Sequence, residues 1–230
     1  RNRLEDFPAR GQKDIIRDFH KTAVSFEQVR QAIVDERAGR LHSGQKEMDC
    51  ALRREADCRL LTDLLHRGEL PLKVTNNDTK MSNVLIDRDT SEAVCIIDLD
   101  TVMPGLTAYD FGDSIRAGAT TAAEDETDLD KVRFSLPLYR AYTEGFLRAA
   151  GNSLTEKELG TLPAGAKLMT LEVGMRFPAD YLNGDIYFNT AHEHPNLDRA
   201  RNQFQLVAEM EISMDEMLEI IHNIMRKGSI

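Results

Sequence analysis

Residues 71–105, PLKVTNNDTKMSNVLIDRDTSEAVCIIDLDTVMPG, are where the side-chain period of this 230-residue chain shifts from helical spacing to alternation. Within them PLKVT (71–75), NVLID (83–87) and AVCIIDL (93–99) are short and β-branched, and turn formers such as Asp89, Thr90 and Ser91 bound them. That is the pattern of short strands. Polar residues gather where the strands end. Asn76-Asn77-Asp78-Thr79-Lys80-Met81-Ser82-Asn83 separates the first two, and the third closes on Asp98-Leu99-Asp100. A hairpin from Asn83 to Asp98 would return its second end to its first, gathering the oxygens of Asp78, Asn83 and Asp98. Hard oxygen donors of this kind suit Mg²⁺, which is commonly shared with substrate phosphates.

Helical patterns lie on both sides. Ala23, Phe26, Val29 and Ile33 predict a helix over Phe19 to Ala38. Met48, Leu52, Ala56, Leu60 and Leu64 predict a second from Glu47 to Arg67, ended by Gly68. After Gly105, Leu138, Tyr142 and Phe146 form one stripe. Leu159, Leu162, Met169 and Val173 form another, with Pro163 and Gly165 expected to bend or break it. A last helix runs from Leu197 to Met225 with Ala200, Phe204, Val207, Leu218 and Ile221 inward, and its methionines read as packing residues. Three short strands embedded in helices make a mostly helical α+β fold, not a doubly wound sheet.

Composition narrows the function. Lys plus Arg is 29 and Asp plus Glu is 39, a formal charge of −10. So acidic a chain is not expected to bind nucleic acid or an anionic membrane. Apolar runs fall far short of the ~20 residues that span a bilayer. Cys50, Cys58 and Cys95 form no CxxC pair and suggest buried thiols in a reducing cytoplasm. The opening RNRLEDF has neither an initiator Met nor a charged-then-apolar leader, and reads as the start of a fragment.

The D-x-K-x-x-N spacing from Asp78 to Asn83, with Asp98 fifteen residues on, resembles the catalytic and metal-binding loops of kinases. The fuller string NNDTKMSNVLID…CIIDLDTVMPGL…YDFGDSIR is similar to the aminoglycoside-phosphotransferase-like small-molecule kinases, and looks most like the N-acetylhexosamine 1-kinases. The likeness is sharp over Pro71 to Arg116 and looser through RFPADYLNGDIYF (176–188) and DRARNQFQLV (198–207). It implies ATP as co-substrate, Mg²⁺ as cofactor and an amino sugar as acceptor. Asp78 matches the catalytic aspartate, Asn83 and Asp98 the Mg²⁺ ligands, and Lys80 the phosphate-contacting lysine. Arg176 and Tyr187 fall where the sugar is held, and Asp110 matches an aspartate that steadies the loop. The chain departs from the family at Asn76, where relatives carry a loop-bracing His. It also shows no GxGxxG, no GxxxxGK[ST] and no upstream strand with a lysine. On this resemblance residues 1–230 form a kinase carboxy-terminal lobe, with the nucleotide-binding lobe absent from the chain.

Rival readings use the same residues. IIDLDTV (96–102) resembles the D-x-D-x-T signature of haloacid-dehalogenase-like phosphatases, with Val102 in its last place, Asp98 as nucleophile and Asp100 as acid/base. That fold requires βαβ units after the motif, where helices are predicted instead. A non-catalytic pseudokinase-like module would account for Asn76, but the chemistry-bearing residues are all present. An alternative for Arg176 is an ion pair with Glu172 one turn earlier, and Tyr187 could simply cover core surface. His192-Glu193-His194 invites a metal reading but lacks a third partner, and the run Glu124 to Asp130 reads as a solvated loop. Other acceptors, such as aminoglycosides, choline or homoserine, remain open. An aminoglycoside would call for a densely acidic pocket, against the modest set of Asp180, Asp185 and Glu193.

Overall fold

The computed structural model describes residues 14–188 and 194–228. Its elements run α1 (Thr22–Asp35), α2 (Leu41–Leu52), α3 (Leu60–His66), β1 (Lys73–Thr75), β2 (Val84–Ile86), β3 (Ala93–Ile96), β4 (Met103–Gly105), α4 (Thr107–Gly118), α5 (Leu136–Ala150), α6 (Glu156–Asn183) and α7 (Pro195–Gly228). The fold is mostly helical α+β, as expected from the sequence.

The β part differs from the expected three strands. β2 and β3 pair antiparallel as a hairpin, while β1 pairs antiparallel with β4, Val74 opposite Pro104. β4 escapes a pattern search because MPG lacks β-branched residues. Pro104 is tolerated because β4 has a neighbour on one side only. Gly105 is required: a Cβ there would lie 2.2 Å from Thr75 Oγ1 and 2.7 Å from Asn77 Oδ1.

The predicted helix from Glu47 to Arg67 is interrupted, with a 3₁₀ turn over Glu55–Arg59 between α2 and α3. Geometry explains the break. Apolar residues four apart advance about 40° per step around a helix of 3.6 residues per turn, so a long i+4 row winds off the buried face. Leu52 and Leu60 are accordingly exposed, while Met48, Ala51, Cys58, Leu61 and Leu64 face the core. In α5 the fully buried row is Tyr139, Thr143 and Leu147, one residue on from the predicted stripe. Leu138 points to solvent, while Tyr142 and Phe146 stay partly buried with ring edges on Phe111. Of the thiols, Cys58 is buried and burial pushes it up to about 12, but Cys95 is exposed on β3.

α6 is the axis of the molecule. It starts in a capping box, with Thr155 Oγ1 accepting from Glu158 N and Glu158 Oε2 accepting from Thr155 N, an arrangement worth ~1 kcal/mol. Glu158 also takes hydrogen bonds from Thr107 at the start of α4 and from Lys73 on β1, both at 2.9 Å. One core cluster joins α1, α2, α3 and the first part of α4 to the second half of α6; the other joins α4 and α5 to its first half, and α7 contributes to both.

Pro163 and Gly165 do not break α6. Its flanks are buried against neighbouring helices, and one missing N–H is tolerated. Gly165 instead marks a close crossing. A Cβ on Gly165 would come 2.4 Å from the Ala108 carbonyl, and one on Gly112 would come 2.4 Å from the Gly165 carbonyl.

Substituting Gly165→Ala should therefore destabilise the fold by about 1–3 kcal/mol through overpacking of α4 on α6. Gly160→Ala on the same helix meets open space and should stabilise it by about 0.5–1 kcal/mol. Paired chemical denaturation curves check both signs.

Candidate active site

β1 ends at Thr75, and the next eight residues form the polar loop. Asn77 adopts a left-handed backbone, φ +65°, a conformation asparagine accepts more readily than most residues. Its side chain replaces a β-ladder: Nδ2 donates to the carbonyls of Thr75 (3.2 Å) and Thr101 (3.0 Å), and Oδ1 accepts from Thr75 Oγ1 (2.9 Å). The hydroxyl of Thr101 donates to the Asn76 carbonyl at 2.7 Å.

Asp110, in the first turn of α4, holds the loop from below. Its two oxygens accept from Asn76 N (3.0 Å) and Asn77 N (2.7 Å), while its carbonyl accepts from Thr79 Oγ1 (2.6 Å). Ser114, one turn on, donates to the Thr79 carbonyl at 3.1 Å. The residue is partly exposed, yet its carboxylate is enclosed. Burial pushes it up to about 6, against the opposing pull of the two backbone N–H groups and of His20.

Asp78 projects from this frame. Its Oδ2 accepts from Lys80 Nζ and from Asn83 Nδ2, each at 2.8 Å, and its own N–H donates to Asn76 Oδ1 at 3.0 Å. The other carboxylate oxygen, Oδ1, receives no hydrogen bond from the described residues. Asn83 commits its amide N–H groups to Asp78, to the side chain and to the carbonyl at 2.9 Å, which leaves its Oδ1 for another partner. Ile97 N donates to the Asn83 carbonyl at 2.9 Å, extending the hairpin ladder and setting Asp98 beside Asn83. Asp98 is exposed, has φ +59°, and makes no hydrogen bond or ion pair within the described residues. Two free hard oxygen donors at one hairpin end fit a small divalent cation such as Mg²⁺.

Arg176 and Tyr187 meet each other at the far end of α6. The guanidinium lies 5.3 Å from the Tyr187 ring centre and 5.5 Å from that of Phe188. Among the described residues no hydrogen bond, ion pair or ring contact joins either one to the 76–83 loop. Arg176 does not pair with Glu172, which is engaged by His20 and Thr22. Tyr187 is 71% exposed and so is not a core cover. Asp180 arranges this segment by accepting from the backbone N–H of Ile186, Tyr187 and Phe188 at 2.9–3.0 Å. Asp185 pairs with Arg40 and with Asn196. His192 and Glu193 lie outside the described residues, and the described ones hold no group of three acidic, His or Cys side chains able to bind a metal.

A buried histidine at the loop escaped the sequence reading. His20 Nε2 lies 2.6 Å from the Asn77 carbonyl, and its Nδ1 lies 3.3 Å from Glu172 Oε1. At 57 residues upstream of Asn77, within no motif, it left no spacing signal to find. Thr101 and Ser114 fall inside the quoted strings, but nothing in their spacing marked either hydroxyl as a partner of the loop backbone.

Asp98 and Asp100 follow an antiparallel strand, and the described strands include no parallel pair. The frame that the phosphatase reading requires is therefore missing from the described residues. No helix among them is long and apolar enough to cross a membrane. Residues 4–145 match the model of the phosphotransferase enzyme family, APH, whose members carry out ATP-dependent phosphoryl transfer to small molecules. With that match over more than half its length, the chain belongs to the APH phosphotransferase enzyme family.

Proposed function

We propose that this chain is the catalytic, acceptor-binding lobe of a Mg²⁺-dependent kinase that phosphorylates the anomeric hydroxyl of an N-acetylhexosamine. The observation that carries the reading is the carboxylate of Asp78, with one oxygen anchored by Lys80 and Asn83 and the other open. The open oxygen can accept the proton of a sugar hydroxyl as that oxygen attacks the γ-phosphorus of ATP and the bond to ADP breaks. Phosphoryl transfer asks mainly for positioning and charge neutralisation. Lys80 brings a positive charge within 2.8 Å of Asp78, placed to offset charge developing on the transferred group. Asn83 and Asp98 would hold Mg²⁺, which when bound neutralises the nucleotide phosphates.

The acceptor class rests on the likeness of residues 71–116 and 176–188 to the hexosamine kinases, and on the exposed Tyr187 ring backed by Arg176. An exposed aromatic face held by the backbone bonds of Asp180 suits a sugar ring. A polycationic aminoglycoside finds less here, because Asp180 and Asp185 are already saturated by the loop's own N–H groups, Asn196 and Arg40.

The test is ADP release by the full-length protein with Mg-ATP over a panel of free sugars and amino alcohols. Turnover with an N-acetylhexosamine is expected, and Asp78→Asn should lower kcat about 10²–10⁴-fold with an unchanged melting temperature. Turnover confined to amino alcohols or aminoglycosides would overturn the acceptor class. Arg176→Ala and Tyr187→Ala should each raise the acceptor KM about tenfold or more, leaving the KM for ATP in place.

The pH dependence follows from Asp110. Its carboxyl takes up a proton at about 6, so the clamp on Asn76 and Asn77 is complete above that pH and fails below it. We expect kcat to fall below pH ~6. Unfolding does not explain that loss. A carboxyl raised above its ordinary value of about 3.9 favours the fold when protonated, and this contribution disappears as pH rises through about 6. Denaturation curves at pH 5 and 7 run beside the rate profile separate the two.

A further inference from the structure

His20 sits just before α1 with a left-handed backbone, φ +57°, and 8% of its surface exposed. Each ring nitrogen faces an acceptor, the Asn77 carbonyl on Nε2 and the Glu172 carboxylate on Nδ1. A carbonyl cannot donate, and neither can a carboxylate. Only the doubly protonated imidazolium satisfies both, whereas neutral imidazole turns a lone pair toward one of them. Burial opposes the charge, but the hydrogen bond and charge of Glu172, with the Asn77 carbonyl, overcome it and leave His20 above its ordinary value. The other groups around the ring are Tyr109, 5.5 Å away, and the carboxylates of Asp110 and Asp113, all on α4. The Phe19 ring lies tilted against it with ring centres 4.2 Å apart, and Thr22 of α1 ties down the second oxygen of Glu172.

The carbonyl that His20 grips belongs to the peptide joining Asn77 to Asp78. The other end of that planar unit, Asp78 N–H, is held by Asn76 Oδ1. Fixing both ends of one rigid peptide sets the direction in which the Asp78 side chain leaves the backbone. We propose that His20 is a positioning residue for Asp78 with a protonation gate: the imidazolium clamped between Glu172 and the Asn77 carbonyl locks the loop, and the neutral ring releases it. Its consequence for turnover rests on the kinase reading; the lock itself does not. A histidine from outside the loop thus braces it where the family pattern places a histidine two residues before Asp78.

The experiment uses the full-length protein and needs no substrate for its first readout. Histidine-labelled NMR should show both His20 nitrogens protonated at pH 6.5. As pH rises and the ring loses its proton, hydrogen exchange of the Asn76, Asn77 and Asp78 amides should accelerate at least tenfold beyond the intrinsic base-catalysed change. Amides of Leu168 to Leu171 in α6 should not follow. In Glu172→Gln the same transition should move to lower pH by a unit or more. Where an acceptor is turned over, kcat should show the same alkaline limb and shift, with the KM for ATP constant. His20→Gln, which keeps one donor, should recover part of the kcat lost in His20→Leu. A neutral ring at pH 6.5, loop exchange indifferent to the ring's proton, or equal loosening of α6 would each overturn the proposal. Failure of the sugar panel alone would strike the acceptor assignment and leave the exchange result standing.

Discussion

Two backbone N–H groups donated to one enclosed carboxylate hold the working part of this molecule to its scaffold. β1 and β4 contribute only three residues each, too few to fix a loop by strand pairing. The Asp110 carboxylate does what a longer sheet would do. It converts the first turn of a well-packed helix into an anchor for Asn76 and Asn77. The left-handed turn at Asn77, the outward course of Asp78 and the return to Asn83 are all set relative to that anchor. The lower dielectric around it strengthens the bonds and at the same time makes the charge costly, so the anchor is firm only while ionised.

What was legible in the sequence is what short-range chemistry determines. The hairpin ends, the polar loop and the nearness of Asp78, Asn83 and Asp98 follow from strand-sized spacing and turn residues within thirty positions of one another, while Lys80 was singled out only through family resemblance. The clamp by Asp110 was visible only through family resemblance, since 34 residues separate it from Asn76. Long i+4 rows misled for a geometric reason, because such a row winds around the helix it is meant to define. Strand β4 was hidden by Pro104, which its free edge tolerates, and by Gly105, whose value lies in the side chain it lacks. Arg176 illustrates a different limit. A carboxylate one turn away is the natural partner on a helix drawn by itself, but tertiary structure had already assigned Glu172 to His20 and Thr22.

α6 connects the two halves of the proposed site. Glu172 reaches the loop through His20, and Arg176, one turn further along, backs the ring of Tyr187. Ordering the aromatic segment and ordering the Asp78 peptide are therefore tasks of neighbouring turns of a single helix. At that end the Asp180 carboxylate orders backbone and the Asp185 carboxylate is paired with Arg40 and Asn196, so neither is left unpaired to meet a cationic ligand.

The close crossing of α4 and α6 has a consequence beyond stability. Where Gly112 meets Gly165, two backbones touch without intervening side chains, so the helices have no soft layer in which to slide or tilt. α4 carries Asp110 and α6 carries Glu172, the two residues through which the loop is held. A pair of glycines, through the side chains they lack, thereby makes those two supports a single rigid body. Dipoles mounted on such a body do not have to reorient while a reaction shifts charge across them, and the energy that water would need for that rearrangement drops out of the barrier.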